Sequence, residues 1–162
     1  MLELEGKRGA LETPANWSEE GPTIPGLSPE LRVLLAEDDV EMRELLVEVL
    51  NAAGCRVTVA RDGTEMLGDL LQAALRRFPE EPFDLLITDQ LMPGCTGLEA
   101  LARLRSVGYA MPAVLITAFP DADTRVRADR LHALVLAKPF AVTELKDAVD
   151  QVTVLAGEPL GA

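Results

Sequence analysis

Glu37, Asp38, Asp89, Thr117 and Lys138 are the residues of this chain whose types could do chemistry together. Each stands at or just past the end of a short apolar run. Leu31-Arg32-Val33-Leu34-Leu35-Ala36 ends in Glu37-Asp38-Asp39, and Leu85-Leu86-Ile87-Thr88 ends in Asp89 before breaking at Pro93-Gly94. Ala113-Val114-Leu115-Ile116 ends in Thr117, and Leu134-Val135-Leu136-Ala137 ends in Lys138-Pro139. Runs of this kind read as buried strands, each aiming its last polar group at the loop beyond its carboxyl end. Where such ends converge, a doubly wound sheet binds its ligand. Two carboxylates about 4 Å apart repel by roughly 4 kcal/mol at an effective dielectric near 20. Three together therefore call for a cation or for protons. Oxygen-only donors suit a hard ion such as Mg²⁺, which keeps several waters and takes up phosphoryl oxygens. Lys138 supplies a second cation for a phosphoryl oxygen, and Thr117 a neutral donor. Asp89, ending the central strand, is the natural nucleophile, because a carboxylate can form an acyl phosphate. In-line positioning and charge neutralisation then suffice.

These groups need elements to hold them, and the pattern from Leu31 onward alternates strand and helix. Residues 40–53 place Met42, Leu45, Leu46, Val49 and Leu50 at helical spacing and stop before Gly54, a natural residue to end a helix. Arg56–Ala60 reads as a short strand. Asp62-Gly63-Thr64 opens a second helix with Met66, Leu67, Leu70, Leu71, Ala74 and Leu75 inward, ended by Phe78-Pro79. A third helix is expected over 97–106 with Leu98, Leu101 and Leu104 inward, a more polar fourth over 122–130, and a fifth over 142–155 with Thr143 as cap or first-turn residue. The order is (βα) five times, an α/β class in which helices cover both faces of a parallel sheet.

Composition narrows the function. The 162 residues are 48% hydrophobic, enough for one domain with a real core. Lys+Arg is 15 and Asp+Glu is 27, so the net charge of −12 repels nucleic acid and anionic membranes. No apolar run approaches the roughly 20 residues needed to cross a bilayer, and Met-Leu-Glu-Leu-Glu is no signal peptide. Cys55 and Cys95 lack metal-site spacing and read as small apolar fillers in a reduced, cytoplasmic compartment. Residues 1–30 carry two bases against six acids, with Pro14, Pro22, Pro25 and Pro29 and no sustained periodicity. They are expected to form a disordered acidic leader, in which Trp17, Ile24 and Leu27 could dock on the domain or a partner.

The motifs, taken together, resemble the receiver domain of two-component response regulators. Those that carry the resemblance are Glu37-Asp38-Asp39, then Asp89-Gln90-Leu91-Met92-Pro93 followed by Gly97, then Thr117-Ala118 and Lys138-Pro139-Phe140. They come in the receiver's order and spacing and span about residues 31–155, with 156–162 left as a short tail. The resemblance implies a flavodoxin-like three-layer sandwich, a doubly wound (βα)5 fold whose parallel five-stranded sheet has the order 2-1-3-4-5. It implies that Asp89 is the phospho-acceptor, and that Mg²⁺ is held by Asp38, Asp89, Glu37 and the backbone carbonyl of Leu91. It makes Thr117 the switch hydroxyl, Lys138 the lysine that pairs with the phosphoryl group, and Lys138-Pro139 a cis peptide. The phosphoryl donor would be a histidine kinase or phosphotransfer protein, so His132 is assigned no role. The chain would catalyse only its own phosphorylation and dephosphorylation.

Two departures from the family pattern stand out. Val135 occupies the position three before the lysine, where the family often carries Tyr or Phe, and it is too short to swing as a ring does. Leu131-His132-Ala133 replaces the usual Gly-Ala-Asp. The segment from Leu67 to Phe83 is also several residues longer than usual, with Arg76 and Arg77 either in a specialised contact or only in a longer loop. The resemblance implies that the residues two beyond Asp89 and two beyond Thr117 flank the path of attacking water; here they are Leu91 and Phe119, which, being apolar, are expected to slow hydrolysis of the acyl phosphate. Phosphorylation would close the 118–123 loop and reach an output surface of fourth helix, fifth strand and fifth helix. Arg125, Arg127 and Arg130 there could dock an acidic partner or a second copy, giving a phospho-dependent homodimer. The expected function is a stand-alone receiver acting on an unknown downstream protein, without direct contact to nucleic acid or membrane. The alternative is a degenerate receiver serving as a phosphorylation-independent binding module, for which Val135 is the main support. A phosphatase with an aspartyl nucleophile would need a second Asp where Leu91 stands.

Overall fold

The computed structural model describes residues 17–18, 21–22, 31–75 and 83–157. Within 1–30 it describes an antiparallel ladder of Trp17–Ser18 with Gly21–Pro22. The leader's disorder, the extended loop over 76–82 and the tail over 158–162 are expectations that lie outside the described residues.

From Arg32 onward strands and helices alternate. They are β1 (Arg32–Ala36), α1 (Val40–Ala52), β2 (Arg56–Ala60), α2 (Gly63–Leu75), β3 (Leu85–Asp89), α3 (Gly97–Ser106), β4 (Ala113–Thr117), α4 (Ala122–Arg130), β5 (Ala133–Ala137) and α5 (Val142–Gly157). The strands form one parallel sheet in the order β2-β1-β3-β4-β5, the expected 2-1-3-4-5.

The apolar strand runs have a simple cause. Successive side chains of a strand point to opposite faces, and here both faces are covered. Val33, Leu35, Leu85, Ile87, Val114 and Ile116 pack with Leu46, Leu50, Val149 and Val152 from α1 and α5. Their strand neighbours Leu34, Ala36, Leu86 and Ala113 pack on the other side with Met66, Leu70, Leu101 and Leu104 from α2 and α3. Alternation between two buried faces leaves β1, β3 and β4 almost continuously apolar, as the sequence is. Leu75 is the exception to the expected inward faces: it is 80% exposed, while Ala73 takes a buried place on α2. Helix α5 continues two residues past the expected end, to Gly157.

Register decides what lies level at the carboxyl edge. Ala36 pairs with Thr88, so Glu37 follows level with Asp89. Asp89 pairs with Ile116, and Thr117 with Ala137, so Thr117 and Lys138 each lie one step beyond a paired residue. The helices start from these same loops. Asp39 caps α1 by accepting from Met42 N at 2.8 Å, and Asp121 caps α4 through Thr124 N at 2.8 Å. Thr96 and Glu99 make a reciprocal capping box on α3. The loop after Asp89 is held from two sides. Gly63 N donates to Pro93 O at 2.9 Å, and a Cβ at Gly63 would collide with the backbone of Cys95. A Cβ at Gly97 would come within 2.8 Å of Asp89 O, so only glycine lets α3 start this close to the strand end.

Candidate functional site

Glu37, Asp38 and Asp89 converge as expected: one ligand oxygen from each lies within 4.8 Å of the others. Glu37 and Asp89 are buried, and Asp38 is exposed. Lys138 joins them from the end of β5, its Nζ 2.9 Å from Asp89 Oδ2 and 3.3 Å from Glu37 Oε2. Its backbone N–H donates to Thr117 O at 2.8 Å, which ties the ends of β4 and β5 together. The peptide bond from Lys138 to Pro139 is cis, as the resemblance implied.

Both Glu37 oxygens are engaged. Oε2 accepts from Lys138, and Oε1 accepts from Asp39 N at 3.2 Å. Asp89 accepts from Lys138 at Oδ2, and its other oxygen accepts no hydrogen bond among the described residues. Thr117 is buried, and its hydroxyl accepts from Phe119 N at 3.1 Å within its own loop. Among the described residues no hydrogen bond joins that hydroxyl to Asp89. Leu91, in the loop just past β3, is 59% exposed, and Phe119, in the loop just past β4, is 70% exposed, so two apolar side chains stand on loops at the sheet's carboxyl edge.

The charges are unbalanced. One ammonium faces three carboxylates, and the repulsion has a visible consequence. Burial, and then the neighbouring Asp89 carboxylate, pushes Glu37 up to about 7 against the opposing pull of Lys138. Burial by itself would lower Lys138. Its hydrogen bond to Asp89 and the charges of Glu37 and Asp89 outweigh that and hold the ammonium above its ordinary range. Burial first and the Asp89 charge second thus disfavour the ionised Glu37, and a cation at the site would favour it. The donor set is oxygen only, which fits a hard divalent cation such as Mg²⁺.

Two supporting residues had escaped the sequence reading. Gln90 accepts from Leu98 N through Oε1 at 2.9 Å, and its carbonyl accepts from Gly97 N at 3.1 Å, fixing the β3–α3 loop. Arg43 reaches back from α1 to the carbonyls of Glu37 at 3.0 Å and Asp38 at 3.4 Å. The signal for Arg43 was present in the chain: a cation in a helix's first turns opposes the helix dipole and so asks for a local partner. Val135 is half-buried and packs against a small cluster of Leu98, Leu115 and Ala128.

With this geometry in hand, comparison with known proteins is informative. The family model of the response regulator receiver domain matches residues 33–150. The response regulator receiver protein CpdR of Brucella abortus (strain 2308) is 37% identical over 131 residues, covering 77% of this chain and 98% of that protein. The sporulation initiation phosphotransferase F of Bacillus subtilis (strain 168) is 31% identical over 119 residues, covering 73% of this chain and 90% of that protein. Other curated relatives are longer, and the chain spans 47% of their length. Among solved structures, the non-phosphorylated HemR receiver domain from Leptospira biflexa superposes with a TM-score of 0.68 at 27% identity, covering 80% of this chain and 98% of that one.

Proposed function

The chain belongs to the response regulator receiver domain family of two-component signalling, and on that premise we propose that it takes a phosphoryl group onto Asp89 from a phosphohistidine of a kinase or phosphotransfer protein. The observation that carries the reading is the convergence of buried Glu37 and Asp89 with exposed Asp38, and Lys138 bonded to Asp89. An Asp89 oxygen attacks the phosphorus, the phosphorus–nitrogen bond breaks, and the histidine leaves as the acyl phosphate forms. Glu37, Asp38, Asp89 and the Leu91 carbonyl would hold Mg²⁺, which when bound supplies positive charge to the phosphoryl oxygens. Lys138 transfers part of its bonding from the carboxylates to the phosphoryl group. Thr117 exchanges its bond with Phe119 N for one to the same group and draws the 118–123 loop with it.

That closure links the site to α4. The helix buries only Thr124 and Ala128 and leaves Arg125, Arg127 and Arg130 exposed on a strongly acidic chain. Such a lightly anchored element is suited to a phosphorylation-dependent contact, with an acidic downstream partner or a second copy. A coupling of about 1–3 kcal/mol would be enough to bias it. We place the protein in the cytoplasm, acting as a receiver without direct nucleic-acid or membrane contact. No described helix is long and apolar enough to cross a membrane.

The test is intact mass after incubation with acetyl phosphate, with and without Mg²⁺, wild type beside Asp89→Asn. The expected result is a Mg²⁺-dependent gain of one phosphoryl in the wild type only. No gain in the wild type would favour the phosphorylation-independent binding module instead.

A further inference from the structure

We propose that Arg43 is a positioning residue that aims Asp38 at the cation, by fixing the peptide planes on both sides of it. This deepens the metal-dependent phosphorylation proposed above and rests on it. The three carboxylates are held in different ways. Asp89 is held by Lys138, and Glu37 by Lys138 and by the Asp39 N–H. Asp38 is exposed, and its carboxylate makes no hydrogen bond or ion pair among the described residues. Its direction therefore depends on its own backbone.

Arg43 controls that backbone. The Glu37 carbonyl belongs to the peptide before Asp38, and the Asp38 carbonyl to the peptide after it. Each peptide is planar, so fixing both carbonyls fixes both soft torsions at Asp38. A single guanidinium nitrogen, NH1, donates to the two carbonyls, at 3.0 and 3.4 Å. The reach follows from helix geometry, because side chains tilt toward the amino end and Arg43 lies over the turn that precedes it. Its own backbone N–H donates to Asp39 O at 2.9 Å, so the anchor is the first closed turn of α1. A cation at this end of a helix is disfavoured by the dipole, and the two carbonyls are the local acceptors that offset it. Arg43 is half-buried, and its bond to the Glu37 carbonyl is partly shielded from the water that would compete for it.

The position also allows a sharp test, since charge and positioning predict opposite signs. Arg43 carries a positive charge, which can only repel a cation held by these carboxylates. Were charge its only effect, removing it would tighten Mg²⁺ binding. Removing a positioning group weakens it, by about tenfold for an outer partner of a metal ligand. Mg²⁺ affinity is measured calorimetrically on the unphosphorylated full chain for wild type, Arg43→Met, Arg43→Lys, Asp38→Asn and the double variant Asp38→Asn with Arg43→Met. Urea midpoints taken without metal report the folded fraction. Positioning predicts a dissociation constant about tenfold higher in Arg43→Met and intermediate in Arg43→Lys, which keeps the charge on a shorter side chain that reaches the two carbonyls less well. It also predicts that Arg43→Met has no further effect once Asp38 is neutralised. Unchanged or tighter binding in Arg43→Met overturns the proposal, as does an equal loss in the Asp38→Asn background. Should Arg43→Met not fold, the comparison of Arg43→Lys with wild type, each with and without Asp38→Asn, carries the same decision. A wild type that binds no Mg²⁺ removes the metal-dependent reading itself, a result distinct from any in which only the Arg43 variants deviate.

Discussion

Raising the pH of the metal-free protein from 5 to 8 should destabilise it, and Glu37 should be the main cause. Its carboxyl is 1% exposed, and burial and the Asp89 charge raise it from 4.5 to about 7. Between those two values the folded state keeps a proton that the unfolded state has released. Stability therefore falls as pH rises through this window and levels off above about 7, the opposite of a carboxylate depressed by a salt bridge. Integrating the linkage from pH 5 to 8 gives a loss of about 2 to 3 kcal/mol. At a urea slope of about 1–3 kcal/mol/M, the unfolding midpoint drops by about 1 M or more. The assay is urea unfolding in a chelator at pH 5, 6, 7 and 8, wild type beside Glu37→Gln. The difference between the two removes the contribution of other groups, such as Asp69, which burial also raises. Glu37→Gln should lose much less stability over this range and be the more stable protein at pH 8. Saturating Mg²⁺ should shrink the wild-type loss, because a cation favours the ionised carboxylate. If Glu37→Gln loses as much as the wild type, the account of a charge-starved acidic group is wrong.

Three further outcomes are expected. Phe119→Glu and Leu91→Asn replace apolar side chains that are 70% and 59% exposed on loops at the sheet's carboxyl edge, and each should speed loss of the acyl phosphate severalfold, read as decay of the phosphorylated mass after acetyl phosphate is removed. Equal decay in wild type and variants would show that these apolar side chains do not hold back water. Reversing the charges of Arg125 and Arg127 should weaken phosphorylation-dependent self-association or partner binding, measured by light scattering and pull-down, with phosphorylation of Asp89 itself retained; intact association would exclude this face of α4. His132 follows α4 in the left-handed region, at φ 56, where glycine is the usual residue, so His132→Gly should raise stability by about 0.5–1 kcal/mol, seen as a higher urea midpoint.

Much of this architecture could be read along the chain because it rests on local patterns. Leu34, Leu86 and Leu115 lie between inward-facing neighbours of the opposite face, so strands covered on both sides announce themselves as unbroken apolar runs. The helix caps Asp39, Thr96 and Asp121 are equally local, since their side chains bond only three residues ahead. The five site residues could be singled out because each closes such a run. Leu75 shows the limit of periodicity: its spacing matches the inner face of α2, but at the helix's last turn it is 80% exposed.

What the chain could not declare is how the site is held. Lys138 meets Glu37 across 101 positions and Asp89 across 49, and contacts of that span exist only once β1, β3 and β5 lie in one sheet. The elevated Glu37 follows from burial and from a neighbour brought in by the fold, neither of which is a property of the tripeptide Glu37-Asp38-Asp39. Residue types and spacing thus determined which groups could serve a phosphoryl site. Strand register and burial decided which of them meet and share a lysine, because electrostatic energy depends on distance and solvent access rather than on order along the chain.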